Sequence, residues 1–229
     1  MRSATDHGAV LQCPAEFTAA QVTPAGCEIS YHKAGMDRHC TAGVIVNAGG
    51  PWVTAIDSRI QPRPAPVAID LVRGAHLVMR EPLKTGCYYV EAQQDRRAIF
   101  LLPWGEHSLL GTTENSYHGD PRAVSILDTE EAYLLEVLQH YFPQRSTDVV
   151  NRFAGLRVLP AATGAAFGRS RETHLLVDHA RRPRVLSIYG GKLTGYRATA
   201  EKVLRRIRHT LPGRKAIART ADLVLTPVD

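Results

Sequence analysis

Long apolar stretches are absent from this chain of 229 residues. No run approaches the roughly 20 apolar positions that a helix needs to span a bilayer. Residues 1–10 are polar and lack the apolar core of a secretory signal. The sequence therefore argues against an integral membrane protein and against a secreted one.

Cysteine is also scarce, and its spacing argues against two kinds of site. The four cysteines are Cys13, Cys27, Cys40 and Cys87. They form no C-x-x-C pair, and the ten histidines contribute no H-E-x-x-H motif. We therefore expect reduced thiols, no metal site and a cytoplasmic location.

Arginine is what the chain has in excess. It supplies 23 of the 28 basic residues, and the formal net charge is +6. Residues 145–219 hold 17 Lys and Arg against 4 Asp and Glu, a net charge of +13. Such a region can meet phosphorylated metabolites, anionic lipid or nucleic acid. No nucleic-acid-binding motif or interleaved aromatic residues accompany the charge, so no nucleic-acid partner is expected.

One stretch combines a strand, two glycines and a helix. The apolar run Val185–Tyr189 predicts a buried strand, and Gly190-Gly191 follows it. Apolar residues then recur at helical spacing from Leu193 to Leu211. A helix that starts after such a turn leaves backbone N–H groups for an anion, and Lys192 adds a charge there. A plain tight turn with a solvated lysine is the alternative.

Four further segments organise the rest of the chain. The run 43–46 predicts a second buried strand, and the small residues that follow it, 47–52, permit close approach by a ligand. Residues 60–66 contain three prolines and predict a connector between domains. Alternating segments from 67 to 110, among them 67–72 and 75–79 as two separate strands, predict an antiparallel sheet. Residues 128–142 predict a helix, with Asp128 and Glu131 at capping-box spacing.

Six blocks of this sequence stand in collinear order. Residues 190–197 are GGKLTGYR, and the other blocks are NAGGPW (47–52), RGAHLV (73–78), LPWGE with GTTE (102–106, 111–114), AGLRVL (154–159) and SRE (170–172). Together they resemble the FAD-dependent glycerol-3-phosphate dehydrogenases, whose flavin-binding signature is GGKLTTYR. Gly49 stands where the family usually has Ala or Thr, and Val158 stands where it has Pro. The family's G-x-G-x-x-G segment and its helical C-terminal domain are not found in these 229 residues.

The resemblance implies an α+β fold with two lobes. Residues 1–63 and 173–211 are expected to form an incomplete FAD-binding lobe, and 212–229 a tail. Residues 64–172 are expected to form an antiparallel substrate lobe with a flanking helix. The chain is thus expected to be the central and C-terminal part of a flavoprotein, and we expect it not to hold FAD stably alone.

The resemblance also implies a reaction and a set of site residues. The reaction is oxidation of sn-glycerol 3-phosphate to dihydroxyacetone phosphate, with hydride passing to flavin N5 and electrons to quinone. His76 is the expected proton acceptor, Lys192 the expected charge beside the flavin, and Arg157 and Arg171 the expected phosphate ligands. The implied cofactor-binding residues are Ala48, Gly49, Gly50, Trp52, Gly190, Gly191, Lys192, Leu193 and Thr194.

Several alternatives stay open at this stage. The chain could instead be an amine or amino-acid oxidase of the same fold, or a non-catalytic remnant or accessory chain. Oxygen could replace quinone as acceptor, and a separate chain could supply the missing flavin segment. Peripheral contact with the inner face of the plasma membrane is the alternative to a purely cytoplasmic location.

Overall fold

The fold is described from a computed structural model, which covers residues 2–161, 172–215 and 219–224. The chain divides into two compact units. Unit 1 comprises Met1–Val67 and Glu172–Asp229, and unit 2 comprises Ala68–Arg171. Within the described ranges, no helix has the length and apolarity that crossing a membrane requires.

The helices and strands are numbered in chain order. The helices are α1 (Arg2–Asp6), α2 (Val53–Asp57), α3 (Asp128–Tyr141) and α4 (Tyr196–Ile207). The strands are β1 (Glu16–Val22), β2 (Cys27–Lys33), β3 (Met36–Ala42), β4 (Ile45–Asn47), β5 (Ile60–Gln61), β6 (Ile69–Met79), β7 (Tyr88–Glu91), β8 (Ala98–Trp104), β9 (His107–Gly111), β10 (Asn115–Tyr117), β11 (Val149–Pro160), β12 (Thr173–Val177) and β13 (Val185–Gly190).

Unit 1 contains two sheets among its described residues. The first has the order β3-β2-β1-β5, and the second has the order β12-β13-β4. β13 and β4 pair in parallel, with Ser187 opposite Asn47. The two buried strands predicted from apolar runs therefore lie side by side in one sheet. Parallel pairing places the residues that follow each strand at the same edge.

Unit 2 is built on one antiparallel sheet. Its order is β10-β6-β9-β8-β7, and β11 pairs with β6 on the other side. Helix α3 covers one face, where Leu77, Leu101 and Leu110 form a core with Leu134 and Leu138 of the helix. The strand alternation therefore turns the intervening residues, such as His76 and Phe100, to the opposite face. The predicted antiparallel sheet with a flanking helix is confirmed.

Two local predictions are corrected. Residues 67–72 and 75–79 were expected to be separate strands, but β6 runs unbroken through Arg73 and Gly74 because β11 pairs with it along its whole length. The capping box of α3 was placed on Asp128 and Glu131. Instead the Leu127 N–H donates to Glu130 Oε2 at 3.0 Å, since Leu127 is the residue that precedes the first turn.

The α-helix after the double glycine also begins later than expected. Residues Leu193–Gly195 form a 3₁₀ turn, and α4 starts at Tyr196. The Gly195 N–H donates to the Lys192 carbonyl at 2.9 Å and closes that turn. Lys192 therefore precedes a tight turn, and the first α-helical residue comes four positions after it.

Candidate functional site

Unit 2 contains a cavity of about 360 Å³ on the sheet face opposite α3. It includes two of the predicted site residues, His76 and Arg157. The lining residues are Gly74, His76, Arg97, Ala98, Phe100, Thr112, Glu114, Phe153, Gly155, Leu156 and Arg157. The cavity thus combines aromatic walls with two arginines, one carboxylate and one imidazole.

Strand register sets the position of His76. It lies opposite Gly111 on β9 and opposite Phe153 on β11. Its ring stacks on that of Phe153, with centroids 5.1 Å apart and planes 12° apart. A Cβ added at Gly111 would come within 2.4 Å of His76 Cδ2. Glycine at 111 therefore makes room for the imidazole on a crowded sheet.

The environment of His76 keeps its ring neutral. Burial lowers the pKa of His76 below its ordinary value of 6.5, and the nearby positive charge of Arg157 lowers it further. Its Nδ1 atom is buried and has no hydrogen-bond partner among the residues that the structure describes. An uncharged imidazole with unused hydrogen-bonding capacity is suited to accept a proton.

Arg157 is held by an acidic partner that the sequence analysis did not identify. Its Nη1 donates to Glu114 Oε1 at 2.5 Å, and its Nη2 donates to the Thr113 carbonyl at 3.1 Å. The Glu114 side chain is 3% exposed, and that of Arg157 is 26% exposed. The pair is therefore largely desolvated, and it fixes the guanidinium at the cavity wall. The acidic end of the GTTE block was the available signal for Glu114.

A buried carboxylate holds the segment that carries Thr113 and Glu114. Glu130 Oε1 accepts hydrogen bonds from Thr113 Oγ1 at 2.8 Å and Asn115 Nδ2 at 2.7 Å. Arg73 Nε lies 3.1 Å from Glu130 Oε2. Burial raises the pKa of Glu130, but the hydrogen bonds and the charge of Arg73 outweigh burial, and the net pKa is lowered. Glu130 is therefore an ionised anchor for the cavity segment.

The candidate cofactor residues of unit 1 lie together at one sheet edge. The segment 48–52 follows β4, and 191–194 follows β13, at the carboxyl ends of two paired parallel strands. Asn47 is buried and accepts the Gly49 N–H at 3.0 Å through its Oδ1 atom. Within unit 1, the structure thus brings the two predicted ligand-binding turns next to each other.

A second buried carboxylate joins these two strands. Asp57 Oδ1 accepts hydrogen bonds from Asn47 Nδ2 at 2.8 Å and from Ser187 Oγ at 2.7 Å. Asp57 Oδ2 accepts the Tyr189 hydroxyl at 2.8 Å, and burial together with that bond raises the pKa of Tyr189 well above its ordinary value. Asp57 was not predicted, because nothing in its local sequence indicates that it is buried.

The glycines of these turns fit a surface that a ligand approaches closely. Gly50, Gly190 and Gly191 have φ of 53°, 70° and 93°, which L side chains rarely adopt. A Cβ at Gly191 would come within 2.6 Å of Thr173 Oγ1. Beside them Leu193 is 89% exposed and Trp52 is 40% exposed. The closely approachable backbone of these turns and the exposed side chains of Leu193 and Trp52 fit one side of a flavin site.

The structure places most of the predicted site residues. His76 and Arg157 share the cavity of unit 2. Ala48, Gly49, Gly50, Trp52, Gly191, Lys192, Leu193 and Thr194 belong to the two turns that follow β4 and β13 in unit 1, and Gly190 is the last residue of β13. Arg171 lies outside the described residues.

Comparisons with known proteins agree on one family. The model of the FAD dependent oxidoreductase family matches residues 1–197. The glycerol-3-phosphate dehydrogenase of Pseudomonas aeruginosa is 30% identical over 213 residues, which are 90% of this chain and 41% of that protein. The aerobic glycerol-3-phosphate dehydrogenase of Escherichia coli is 34% identical over 169 residues, 71% of this chain and 34% of that protein.

A solved structure extends the similarity to three dimensions. The glycerol-3-phosphate dehydrogenase of Bacillus halodurans, complexed with FAD, matches with a TM-score of 0.75 and 27% identity. The match covers 90% of this chain and 40% of that one. The chain thus spans between about a third and two fifths of the length of the relatives it matches.

Proposed function

The chain belongs to the FAD-dependent oxidoreductase family, and from that membership we propose that it forms the substrate side of a glycerol-3-phosphate dehydrogenase. The reaction is oxidation of sn-glycerol 3-phosphate at C2 to dihydroxyacetone phosphate. The observation that carries the proposal is the cavity that His76 and Arg157 line together on neighbouring strands. The similarity to two glycerol-3-phosphate dehydrogenases supports the choice of substrate.

We propose that FAD, the cofactor of this family, would be held by the two turns of unit 1 and would supply the acceptor for the C2 hydride. His76 would take the proton of the C2 hydroxyl. Its lowered pKa keeps the ring neutral at physiological pH, so that it is ready to act as a base. Its stacking on Phe153 and its position over Gly111 hold the ring in one orientation. Proton and hydride together account for the two hydrogens that the alcohol loses.

Arg157 would contact the phosphate of the substrate, together with Arg171. A guanidinium is suited to phosphate because its planar N–H groups match two oxygens. Glu114 and the Thr113 carbonyl fix the orientation of Arg157. An arginine that is held in place before binding loses less side-chain entropy when the substrate arrives.

The two turns of unit 1 would contact the flavin, and Lys192 would stabilise the negative charge that it gains. The exposed side chain of Lys192 lies next to Gly191, whose backbone permits close approach. The 229 residues contain no G-x-G-x-x-G motif. We therefore propose that a flavin-domain segment from outside these residues completes the dinucleotide site, and that this sequence alone is inactive.

Quinone is the acceptor that we propose, reached by peripheral contact with the inner face of the plasma membrane. The resemblance to aerobic glycerol-3-phosphate dehydrogenases supports it. The positive net charge of residues 145–219 is compatible with an anionic lipid surface.

The test is a stopped-flow series on the chain complemented by a flavin-domain segment that carries G-x-G-x-x-G. His76→Ala should lower turnover by about 10²–10⁴-fold. It should also remove the acid limb of the rate–pH profile, because the lowered pKa of His76 places its titration there. Lys192→Met should slow flavin reduction and lower the flavin potential while substrate binding persists. Arg157→Gln should act mainly on KM, because the phosphate contact is made equally before and during reaction.

The matched control is Arg152→Gln. Arg152 lies on the same strand, but it pairs with Glu131 at 2.9 Å on the face that α3 covers. The Arg152→Gln variant should leave all kinetic constants unchanged. Reduction of the flavin by glycine or sarcosine in place of glycerol 3-phosphate would support an amino-acid oxidase instead. Failure of the complemented protein to take up flavin would support a non-catalytic accessory chain.

A further inference from the structure

Two glycines face each other between His76 and Arg157. Gly74 on β6 lies directly opposite Gly155 on β11. The pair next to them is His76 with Phe153, two residues along each strand, and Arg157 lies two residues along β11 on the other side. Since residues two apart share a sheet face, the glycine pair forms the floor between the imidazole and the guanidinium.

The two glycines have different reasons to lack a side chain. A Cβ at Gly74 would come within 2.6 Å of both Arg157 Nη2 and Thr112 Oγ1. A side chain at Gly74 would therefore displace the Arg157 guanidinium from the position it occupies. A Cβ at Gly155 would have no heavy atom of the described residues within 4 Å.

Gly155 also has no conformational reason to be glycine. It lies inside β11 as part of the ladder, and its φ is outside the left-handed region. Glycine in a strand interior weakens the strand, because it loses more backbone entropy on folding and packs no side chain. The space above it is the cavity itself, of which Gly155 is a lining residue.

We propose that Gly155 is a specificity-determining residue: its missing side chain provides the space for the carbon chain of the substrate between His76 and Arg157. This inference rests on the proposed function, since it assumes that a polyol phosphate occupies the cavity. A side chain at position 155 should therefore exclude the carbon chain of the substrate. It should leave Arg157 able to bind a small anion.

The experiment is a calorimetric titration of the purified 229-residue chain with glycerol 3-phosphate and, separately, with inorganic phosphate. Gly155→Ala should weaken glycerol 3-phosphate binding by about 10-fold, and Gly155→Val should remove it. Inorganic phosphate binding should change by less than about twofold in both variants. Gly213→Ala is the matched control, because a Cβ there also meets no described atom, but Gly213 lies outside the cavity.

Thermal unfolding provides a second readout. Gly155→Ala should keep or raise Tm, by up to about 4 °C, because alanine restricts the unfolded chain without a clash in the folded one. Weaker ligand binding in a protein that is no less stable distinguishes an obstructed cavity from a damaged fold. A fall in Tm for Gly155→Ala would overturn the inference, since it would show that the site does not have room for a methyl group.

Two binding outcomes separate this inference from its premise. If the wild-type chain binds glycerol 3-phosphate and both Gly155 variants bind it equally well, the inference is wrong and the proposed function stands. If the wild-type chain binds neither ligand, or if Arg157→Gln leaves binding unchanged, the phosphate site is refuted and the inference falls with it.

Discussion

Replacing Glu130 should destabilise unit 2 more than any single surface change. The carboxylate is 3% exposed and accepts hydrogen bonds from Thr113, Asn115 and the Leu127 N–H. Glu130→Ala would remove these acceptors and would leave Arg73, whose side chain is 10% exposed, without its counterion. Breaking a buried ion pair by removing one partner costs about 3–5 kcal/mol. We expect a loss of that size in the free energy of unfolding.

Glu130→Gln separates the effect of losing the negative charge from the effect of losing the side chain's volume. The amide keeps the volume and one acceptor oxygen, so the loss should be smaller, about 1–3 kcal/mol. Glu136→Gln is the matched control, because Glu136 is exposed on the same helix. It should change the free energy of unfolding by less than about 0.5 kcal/mol.

At acid pH the difference in the free energy of unfolding between wild type and Glu130→Gln should disappear. The folded-state pKa of Glu130 is lowered from 4.5. Its contribution is therefore fully present above the unfolded-state pKa and is lost as the pH falls through the lower folded-state value. The two proteins should differ most near neutral pH and should converge in acid.

Urea denaturation followed by tryptophan fluorescence measures these differences. The chain has two tryptophans, Trp52 in unit 1 and Trp104 in unit 2. A Trp52→Phe background leaves Trp104 as the reporter of unit 2 alone. A Glu130→Ala midpoint equal to that of Glu136→Gln would refute the assignment of Glu130 as an anchor. So would a difference between wild type and Glu130→Gln that does not depend on pH.

Three further predictions concern the two candidate sites. The NMR titration of His76 should give a pKa below 6.5, and Arg157→Gln should raise it because a neighbouring positive charge is removed; an unchanged value would show that Arg157 does not act on the imidazole. Gly49→Ala should cost unit 1 about 1 kcal/mol, because the added Cβ would lie 2.3 Å from Ile56 Cδ1 and push that side chain off its rotamer. Adding Ile56→Val, which removes that atom, should recover stability in urea denaturation. A double variant that is less stable than Gly49→Ala would contradict this explanation. The 229-residue chain should leave gel filtration without stoichiometric flavin, because the glycine turn for the ADP moiety is not in its sequence; a stably yellow protein would show that the prediction is wrong.

Local sequence patterns predicted several of the regular elements of this fold. The apolar run 185–189 and the helical spacing within 128–142 correspond to β13 and α3, because each pattern has the period of the element that it forms. The single strand β6 was not foreseen, since residues 67–72 and 75–79 were predicted as two separate strands. In the structure Gly74 stays in the ladder and leaves room for the guanidinium of Arg157.

The polar anchors could not be predicted from local pattern. Asp57 meets Ser187 and Tyr189, which are 130 and 132 residues away in sequence. Glu114 meets Arg157 across 43 residues. A carboxylate in a polar stretch is usually solvated, and only the tertiary fold shows that these are buried. The residues for which we propose a chemical role were thus easier to find than the residues that hold them.

The distinction between residues that would contact the ligand and residues that position them determines which variants can test a chemical role. Asp57 joins Asn47 at the end of β4 to Ser187 and Tyr189 on β13, so any change at Asp57 loosens both turns that follow those strands. Asp57→Asn would place an amide N–H donor against side chains that already donate to this position. A loss of flavin binding in that variant would then reflect displaced turns and not a lost contact with the flavin. The exposed side chain of Lys192 extends from the turn after β13. Its replacement leaves the anchored strands intact, and an effect of Lys192→Met on the flavin potential can therefore be assigned to the charge itself.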